Sequence, residues 1–129
     1  MASLRYEVRI AATASVVWKI IEDPASIPTW FPGIIAAVVE GSIRTITLAT
    51  GIVIPEEILT IDALQRRFAY RILAPQYRSH LGTIDVIQLD ERDTLCVYAT
   101  TAEPDTLALI IGGATLGALD SIKRIAEGG

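Results

Sequence analysis

Residues 14–34 read ASVVWKIIEDPASIPTWFPGI, a helical pattern followed by a proline-containing aromatic turn. Apolar residues recur in it at helical spacing, at Val17, Ile20 and Ile21. Thr13 or Ser15 can cap the start of this helix, and the pair Asp23 and Pro24 ends it. The segment therefore predicts a short amphipathic helix that runs into a second helical turn before the chain continues.

The sequence on either side of this segment has the patterns of β-strands and of one long helix. Residues 4–11 alternate apolar and charged side chains, as a half-buried strand does. Six β-branched apolar runs follow the segment, at residues 34–40, 43–50, 52–61, 68–73, 77–89 and 94–101. Pro104 and Asp105 then open a helix that reaches about Ala126. This order predicts an α+β fold, in which an antiparallel sheet packs against helices on one face and curls around the last helix.

Five pieces of sequence in this order carry a family resemblance, namely ASVVWKIIEDPASIPTWFPGI, EEILTID, FAYRI, HLGTIDV and TLCVYATTAEP. The chain resembles the START-like, birch-pollen-allergen-like superfamily, the SRPBCC group, and especially its polyketide cyclase/dehydrase branch. The resemblance implies a helix-grip fold, with a seven-stranded curved antiparallel β-sheet wrapped around a long C-terminal α-helix and two short helices after strand 1. It also implies a ligand cavity, which the short chain and the compact loop at residues 62–67 predict to be small.

Composition limits the functions open to the chain. A length of 129 residues with 51% hydrophobic residues predicts one domain, residues 1–129. The formal net charge is −4 and the basic residues are scattered, so no nucleic-acid partner is expected. One cysteine and one histidine give no metal-site spacing, and no cofactor is expected. The N-terminal residues lack the pattern of a secretory signal, so we expect a cytoplasmic protein.

The C-terminal helix is apolar on nearly every side, although its apolar run at residues 107–119 is too short to predict a membrane span. A core-facing stripe is predicted at Leu107, Ile110, Ile111, Ala114, Ala118, Ile122 and Ile125. Leu109 and Leu116 fall outside this stripe and predict either a homodimer contact or a ligand portal. The mean hydropathy of +0.44 agrees with apolar surface that faces a cavity, a second subunit or a lipid.

Three polar residues are candidates for catalysis, each with an alternative. Tyr70 is predicted to offer its hydroxyl to the cavity, or else to be a core tyrosine. Glu57 fits the family-like pattern E-x-L-x-x-D and is a candidate general acid or base. Its alternative is an ion pair with Arg44 or Arg71. His80 is the one imidazole available for proton transfer, although an exposed or edge position is favoured for it.

Ligand contacts are predicted at Trp30, Phe68, Tyr70, Ile72, Ile111 and Ala114. Phe68, Tyr70 and Ile72 share one strand face, which should point towards the last helix. Trp30 is more usually a core residue in such a pattern.

Three functions remain open from the sequence. The leading hypothesis is a protein that binds a small apolar or aromatic molecule in a cavity between the sheet and the C-terminal helix. The second is a cofactor-independent enzyme of the polyketide cyclase/dehydratase kind, in which Tyr70, Glu57 or His80 moves protons. The third is a protein interaction module with a vestigial pocket.

Overall fold

A computed structural model describes residues 1–128. The strands are β1 (Ala2–Ile10), β2 (Ile34–Glu40), β3 (Ile43–Leu48), β4 (Val53–Asp62), β5 (Arg67–Ile72), β6 (Ser79–Asp90) and β7 (Asp93–Glu103). The helices are α1 (Ala14–Ile21), α2 (Ile27–Trp30) and α3 (Asp105–Ala126), and a 3₁₀ turn at Pro24–Ser26 joins the first two. The predicted α+β helix-grip fold is confirmed.

The strands form one antiparallel sheet in the order β1-β7-β6-β5-β4-β3-β2. Strands β2 to β7 follow one another along the chain, whereas β1 pairs with β7 from Ala2 opposite Ala102 to Ile10 opposite Thr94. Strands β1 and β2 therefore lie at opposite edges of the sheet. Because the short helices connect these two edges, they have to cross one face of the sheet.

The segment that crosses the sheet is fixed by local caps and by burial. The Thr13 hydroxyl accepts a hydrogen bond from the Val16 N–H at the start of α1, as predicted. The Asp23 carboxylate accepts one from the Ala25 N–H and caps the 3₁₀ turn. The buried side chains of this segment are Ala14, Val17, Trp18, Ile21, Ile27 and Trp30. Helix α1 packs against β6 and α3, and α2 packs against β2 and α3.

Helix α3 packs on β1 and β7, and the face it buries differs from the predicted stripe. The buried residues are Ala108, Gly112, Thr115, Ala118, Leu119, Ser121 and Ile122. The stripe is wrong at Ile110, which is 67% exposed, and at Ala114 and Ile125, which are also exposed. The N-terminal part of the buried face has small residues, whereas Leu119 and Ile122 are buried nearer the C-terminal end. At Gly112, a Cβ atom would lie only 3.3 Å from Leu4 Cδ1, so the small residues mark the side where helix and sheet come closest.

Helix α3 is long and apolar enough to cross a membrane, judged by length and composition alone. Core helices of soluble proteins often have the same length and composition, so these two properties are weak evidence for a membrane span. Here the face with the small residues lies against β1 and β7.

Candidate ligand-binding cavity

A cavity of about 330 Å³ lies between the N-terminal half of α3, the α2 region and strands β2 to β5. It is lined by Ile27, Phe31, Pro32, Gly33, Ile34, Ile46, Leu48, Ala49, Thr50, Ile54, Glu56, Tyr70, Ile72, Ile110, Ile111 and Ala114. This volume is near the lower end of the roughly 300–1,000 Å³ typical of small-molecule sites, as the short chain predicts. Apart from Thr50, the polar lining side chains are Glu56 and Tyr70.

The cavity exists because α3 does not cover the whole sheet. The helix lies over β1 and β7, so the inner face of β3, β4 and β5 has no helix packed directly upon it. Side chains from the flank of α3, at Ile110, Ile111 and Ala114, form the opposite wall. Pro32, Ala49 and other exposed lining residues mark its open side.

A buried ion pair forms the polar floor of the cavity. Arg44 on β3 and Glu56 on β4 are directly opposite each other in the strand register and point to the same face. The Arg44 Nε and Nη2 atoms both lie 2.8 Å from Glu56 Oε1, and the residues are 1% and 3% exposed. The guanidinium also lies over the rings of Phe68 and Tyr70, at 5.3 and 5.1 Å from their centroids.

Burial raises the pKa of Glu56 above its ordinary value and Arg44 opposes that rise; we nevertheless expect the carboxyl to be ionised at neutral pH. The reason is the charge of Arg44, which a protein does not remove. A protonated Glu56 would leave this buried guanidinium without a counter-charge, which costs more than burying the pair. The cavity floor therefore carries the Glu56 carboxylate, and its charge is balanced by Arg44, which does not line the cavity.

Tyr70 forms the second polar part of the floor. Its hydroxyl lies 2.6 Å from the Tyr98 hydroxyl, and both residues are buried. Burial is the main cause that raises the pKa of each phenol well above its ordinary value, so both stay neutral and act as hydrogen-bonding groups. The Tyr70 ring lies over Gly82, where a Cβ atom would be only 2.6 Å from Tyr70 Cζ.

This close approach predicts the effect of a methyl group at Gly82. We expect Gly82→Ala to displace the Tyr70 ring, break its bond to Tyr98 and lower the free energy of unfolding by about 1–3 kcal/mol. Gly113→Ala is the matched control, because a Cβ there meets no atom within 4 Å. That exposed helical change should instead stabilise the protein by about 0.5–1 kcal/mol. Urea unfolding measures both, and a Gly82→Ala protein as stable as the wild type would contradict the packing described here.

The model of one protein family, described as "Polyketide cyclase / dehydrase and lipid transport", matches residues 1–126. The chain belongs to this family. The predicted membership of the START-like superfamily and its polyketide cyclase branch is confirmed. No curated protein matches the sequence.

Three solved structures show how the fold of this family member is shared. The protein XoxI from Bacillus cereus is 23% identical, with a TM-score of 0.91 over 98% of this chain and 96% of its own. The Zhui aromatase/cyclase from Streptomyces sp. R1128 is 20% identical, with a TM-score of 0.81 over 98% and 93%. Norcoclaurine synthase from Thalictrum flavum, solved with dopamine and hydroxybenzaldehyde, is 16% identical, with a TM-score of 0.76 over 96% and 85%. At these identities the likeness shows the fold alone.

Of the predicted ligand contacts, the structure places Tyr70, Ile72, Ile111 and Ala114 in the cavity wall of this family member. Phe68 and Trp30 are buried in the core and are not lining residues, which corrects their predicted position. The Arg44 guanidinium covers the Phe68 ring. The Trp30 indole N–H lies 3.3 Å from Ser26 Oγ, within its own helical segment.

The predicted position of Glu57 is corrected as well. Glu57 lies on the outer face of β4 and pairs with Arg71, whose Nε is 2.6 Å from Glu57 Oε1. This ion pair is the alternative expected for Glu57, and the carboxylate that faces the cavity is Glu56. Ile54 and Ile58 lie on the same face as Glu56, but the apolar residues Val53, Leu59 and Ile61 lie on the face of Glu57, so alternation alone did not show which carboxylate points inward.

His80 is buried, at 6% exposure, so the expected exposed or edge position is wrong. The backbone pairing of β5 with β6 ends at Tyr70 opposite Gly82. Beyond that point the imidazole takes part in the contact between the strands, and its Nδ1 accepts a hydrogen bond from the Ile72 N–H at 2.9 Å. Burial lowers the pKa of His80 to about 4. His80 lines a separate cleft beside the β5–β6 loop, together with Tyr77, and is not a lining residue of the cavity.

Proposed function

We propose that the protein binds a small, largely apolar or aromatic molecule in the cavity between the sheet and α3. The observation that carries this proposal is the distribution of polar groups in the cavity. Its walls are apolar, and Glu56 and Tyr70 are grouped at its floor, where they can orient a ligand. Empty apolar space destabilises a core. Ligand binding therefore explains a cavity of this kind better than a contribution to stability does.

The comparisons support this reading by analogy. Norcoclaurine synthase, which has the same fold, was solved with two small aromatic molecules, dopamine and hydroxybenzaldehyde. The family description names both cyclases and lipid transport, so the fold serves binding as well as catalysis. The small volume of this cavity favours a compact ligand over a long lipid.

Closing the cavity with a bulky side chain tests the proposal. We expect Ala114→Trp, at the exposed edge of the wall, to weaken binding of the neutral fluorescent probe N-phenyl-1-naphthylamine by about tenfold or more, since the indole would occupy the site. Leu116→Trp is the matched control, because Leu116 is also exposed on α3 and is not a lining residue. Fluorescence titration measures both. Equal affinity of the two variants, or no probe binding by the wild type, would contradict the proposed site.

A second candidate is a polyketide cyclase/dehydratase-like enzyme, favoured by one observation. An ionised carboxylate and a phenol, Glu56 and Tyr70, both line the same small cavity, where they can accept or donate a proton at a bound keto group. In this candidate Glu56 takes the place first assigned to Glu57, and His80 has no direct role. Turnover of a poly-keto substrate that is lost in Glu56→Gln while binding persists would support it.

We also propose that the protein forms a homodimer through α3 and is located in the cytoplasm. Leu109 and Leu116, at 56% and 49% exposure, support a homodimer through α3, which sedimentation of the purified protein tests.

A cytoplasmic location agrees with the single thiol, Cys96, which is buried and has its pKa raised by burial to about 12.

A further inference from the structure

We propose that the floor of the cavity selects neutral apolar molecules that carry a hydroxyl group, such as phenols and compact alcohols, and rejects carboxylates. This inference rests on the proposed function and adds the chemical class of the ligand. It follows from which residue of the buried ion pair lines the cavity and which of its atoms are already bonded.

Each nitrogen of the Arg44 guanidinium contacts a protein oxygen, which leaves two of its five N–H groups without such a contact. Its Nε donates to Glu56 Oε1, Nη2 lies 2.8 Å from the same oxygen, and Nη1 donates to the Pro24 carbonyl at 3.2 Å. Arg44 is not a lining residue of the cavity, whereas Glu56 is. A ligand therefore meets the acceptor of this pair and not its donor.

Glu56 keeps accepting capacity for a ligand. Both Arg44 contacts go to Oε1, and no hydrogen bond to Oε2 exists within residues 1–128. A carboxylate oxygen in apolar surroundings gains most from a hydrogen-bond donor. An apolar ligand without a donor leaves that oxygen unsatisfied when it displaces solvent from the cavity.

Tyr70 supplies the complementary group. In the pair with Tyr98, one hydroxyl donates to the other, and the proton of the second hydroxyl is left over. When Tyr98 is the donor, the Tyr70 O–H is free to donate to a ligand oxygen. A ligand hydroxyl can then donate to Glu56 and accept from Tyr70, which neither an ether nor a hydrocarbon can do.

A ligand carboxylate is disfavoured by charge. It would lie beside the ionised Glu56 in a cavity whose walls are apolar, where two like charges repel strongly. The Arg44 guanidinium beside the floor is already paired with Glu56 and also bonded to the Pro24 carbonyl. Fatty acids and aromatic acids are therefore expected to bind weakly, even where their apolar parts fit.

Three probes with the same ring system separate these effects: naphthalene, 2-naphthol and 2-naphthoate. Their dissociation constants are measured by displacement of N-phenyl-1-naphthylamine. We expect 2-naphthol to bind about tenfold or more tightly than naphthalene, because a hydrogen bond to a charged acceptor is a strong one. We expect 2-naphthoate to bind more weakly than naphthalene.

Variants assign the preference to Glu56. Glu56→Gln keeps the shape of the side chain and removes its charge, so the advantage of 2-naphthol should fall and 2-naphthoate should gain affinity. Glu57→Gln is the control on the outer face and should keep the wild-type order. If Glu56→Gln does not fold, the double variant Arg44→Met/Glu56→Leu replaces the ion pair with apolar groups, so the advantage of 2-naphthol should fall to what the Tyr70 hydroxyl alone provides.

The outcomes distinguish this inference from the proposed function. Equal affinities for naphthalene and 2-naphthol in the wild type would overturn the proposed selectivity without contradicting the proposed binding site. A preference for 2-naphthol that is undiminished in Glu56→Gln or in the double variant would also overturn it. If the wild type binds neither the fluorescent probe nor any naphthalene, the proposed function fails and the selectivity fails with it.

Discussion

Replacing Glu56 with leucine is expected to lower the free energy of unfolding by about 3–5 kcal/mol, a large part of the stability of a domain of this size. The substitution leaves Arg44 buried at 1% exposure with no counter-charge. Its remaining hydrogen bond, to the Pro24 carbonyl, does not neutralise the guanidinium. Denaturant unfolding at neutral pH, followed by circular dichroism, measures the change.

Two control variants make this result specific to the buried charge. Arg44→Met/Glu56→Leu removes both charges and is expected to recover most of the lost stability, since buried pairs are often replaceable by apolar groups of similar volume. Glu57→Leu breaks the partly exposed pair with Arg71 on the outer face and should cost less than about 1 kcal/mol. Equal losses in the Glu56 and Glu57 variants would show that the position of the charge in the cavity floor has no special cost.

Stability is also expected to fall by roughly 3 kcal/mol between about pH 6.5 and pH 4 through His80 alone. Burial lowers the pKa of His80 from 6.5 to about 4 in the folded protein. In this pH window the unfolded chain therefore binds the additional proton, so acidification favours unfolding. The contribution is fully present above pH 6.5 and is lost as the pH approaches 4. Protonation would also remove the acceptor that Nδ1 offers to the Ile72 N–H.

The His80→Asn variant isolates this contribution from the carboxylates that titrate in the same range. Asparagine can still accept from the Ile72 N–H but has no proton to gain. The difference in unfolding free energy between wild type and variant, measured at pH 7 and at pH 4.5, should change by about 2 kcal/mol or more in the direction of a destabilised wild type. A difference that is constant with pH would show that His80 stays unprotonated in both states or titrates normally in both.

The fold was predictable from sequence because apolar residues recur with a clear period along its strands and helices. The alternation of β1 and the helical spacing of Val17, Ile20 and Ile21 reflect local chemistry that does not depend on distant parts of the chain. The boundaries of α3 were equally local, with Pro104 before it and glycine after it.

The polar site was less predictable, because it depends on pairing between strands. The sequence EE at residues 56 and 57 places one carboxylate on each face, and only the register with β3 shows that Arg44 lies opposite Glu56. The burial of His80 depends on where the ladder between β5 and β6 ends, which no local pattern encodes. The buried face of α3 was misjudged for a related reason, since close packing of Gly112 on Leu4 is a tertiary contact.

Helix α3 packs on the sheet with one face and borders the cavity with another, so along this helix the residues that hold the fold together differ from those that line the cavity. Wall positions such as Ile110 and Ala114 are exposed and hold little of the core together, so mutation and selection can reshape the cavity there one residue at a time. The floor is different, because Arg44 and Glu56 have to change together to avoid a destabilised intermediate with an unpaired buried charge. In a mutational library, new ligand preferences should therefore arise first by remodelling of the wall, whereas the charge of the floor should persist.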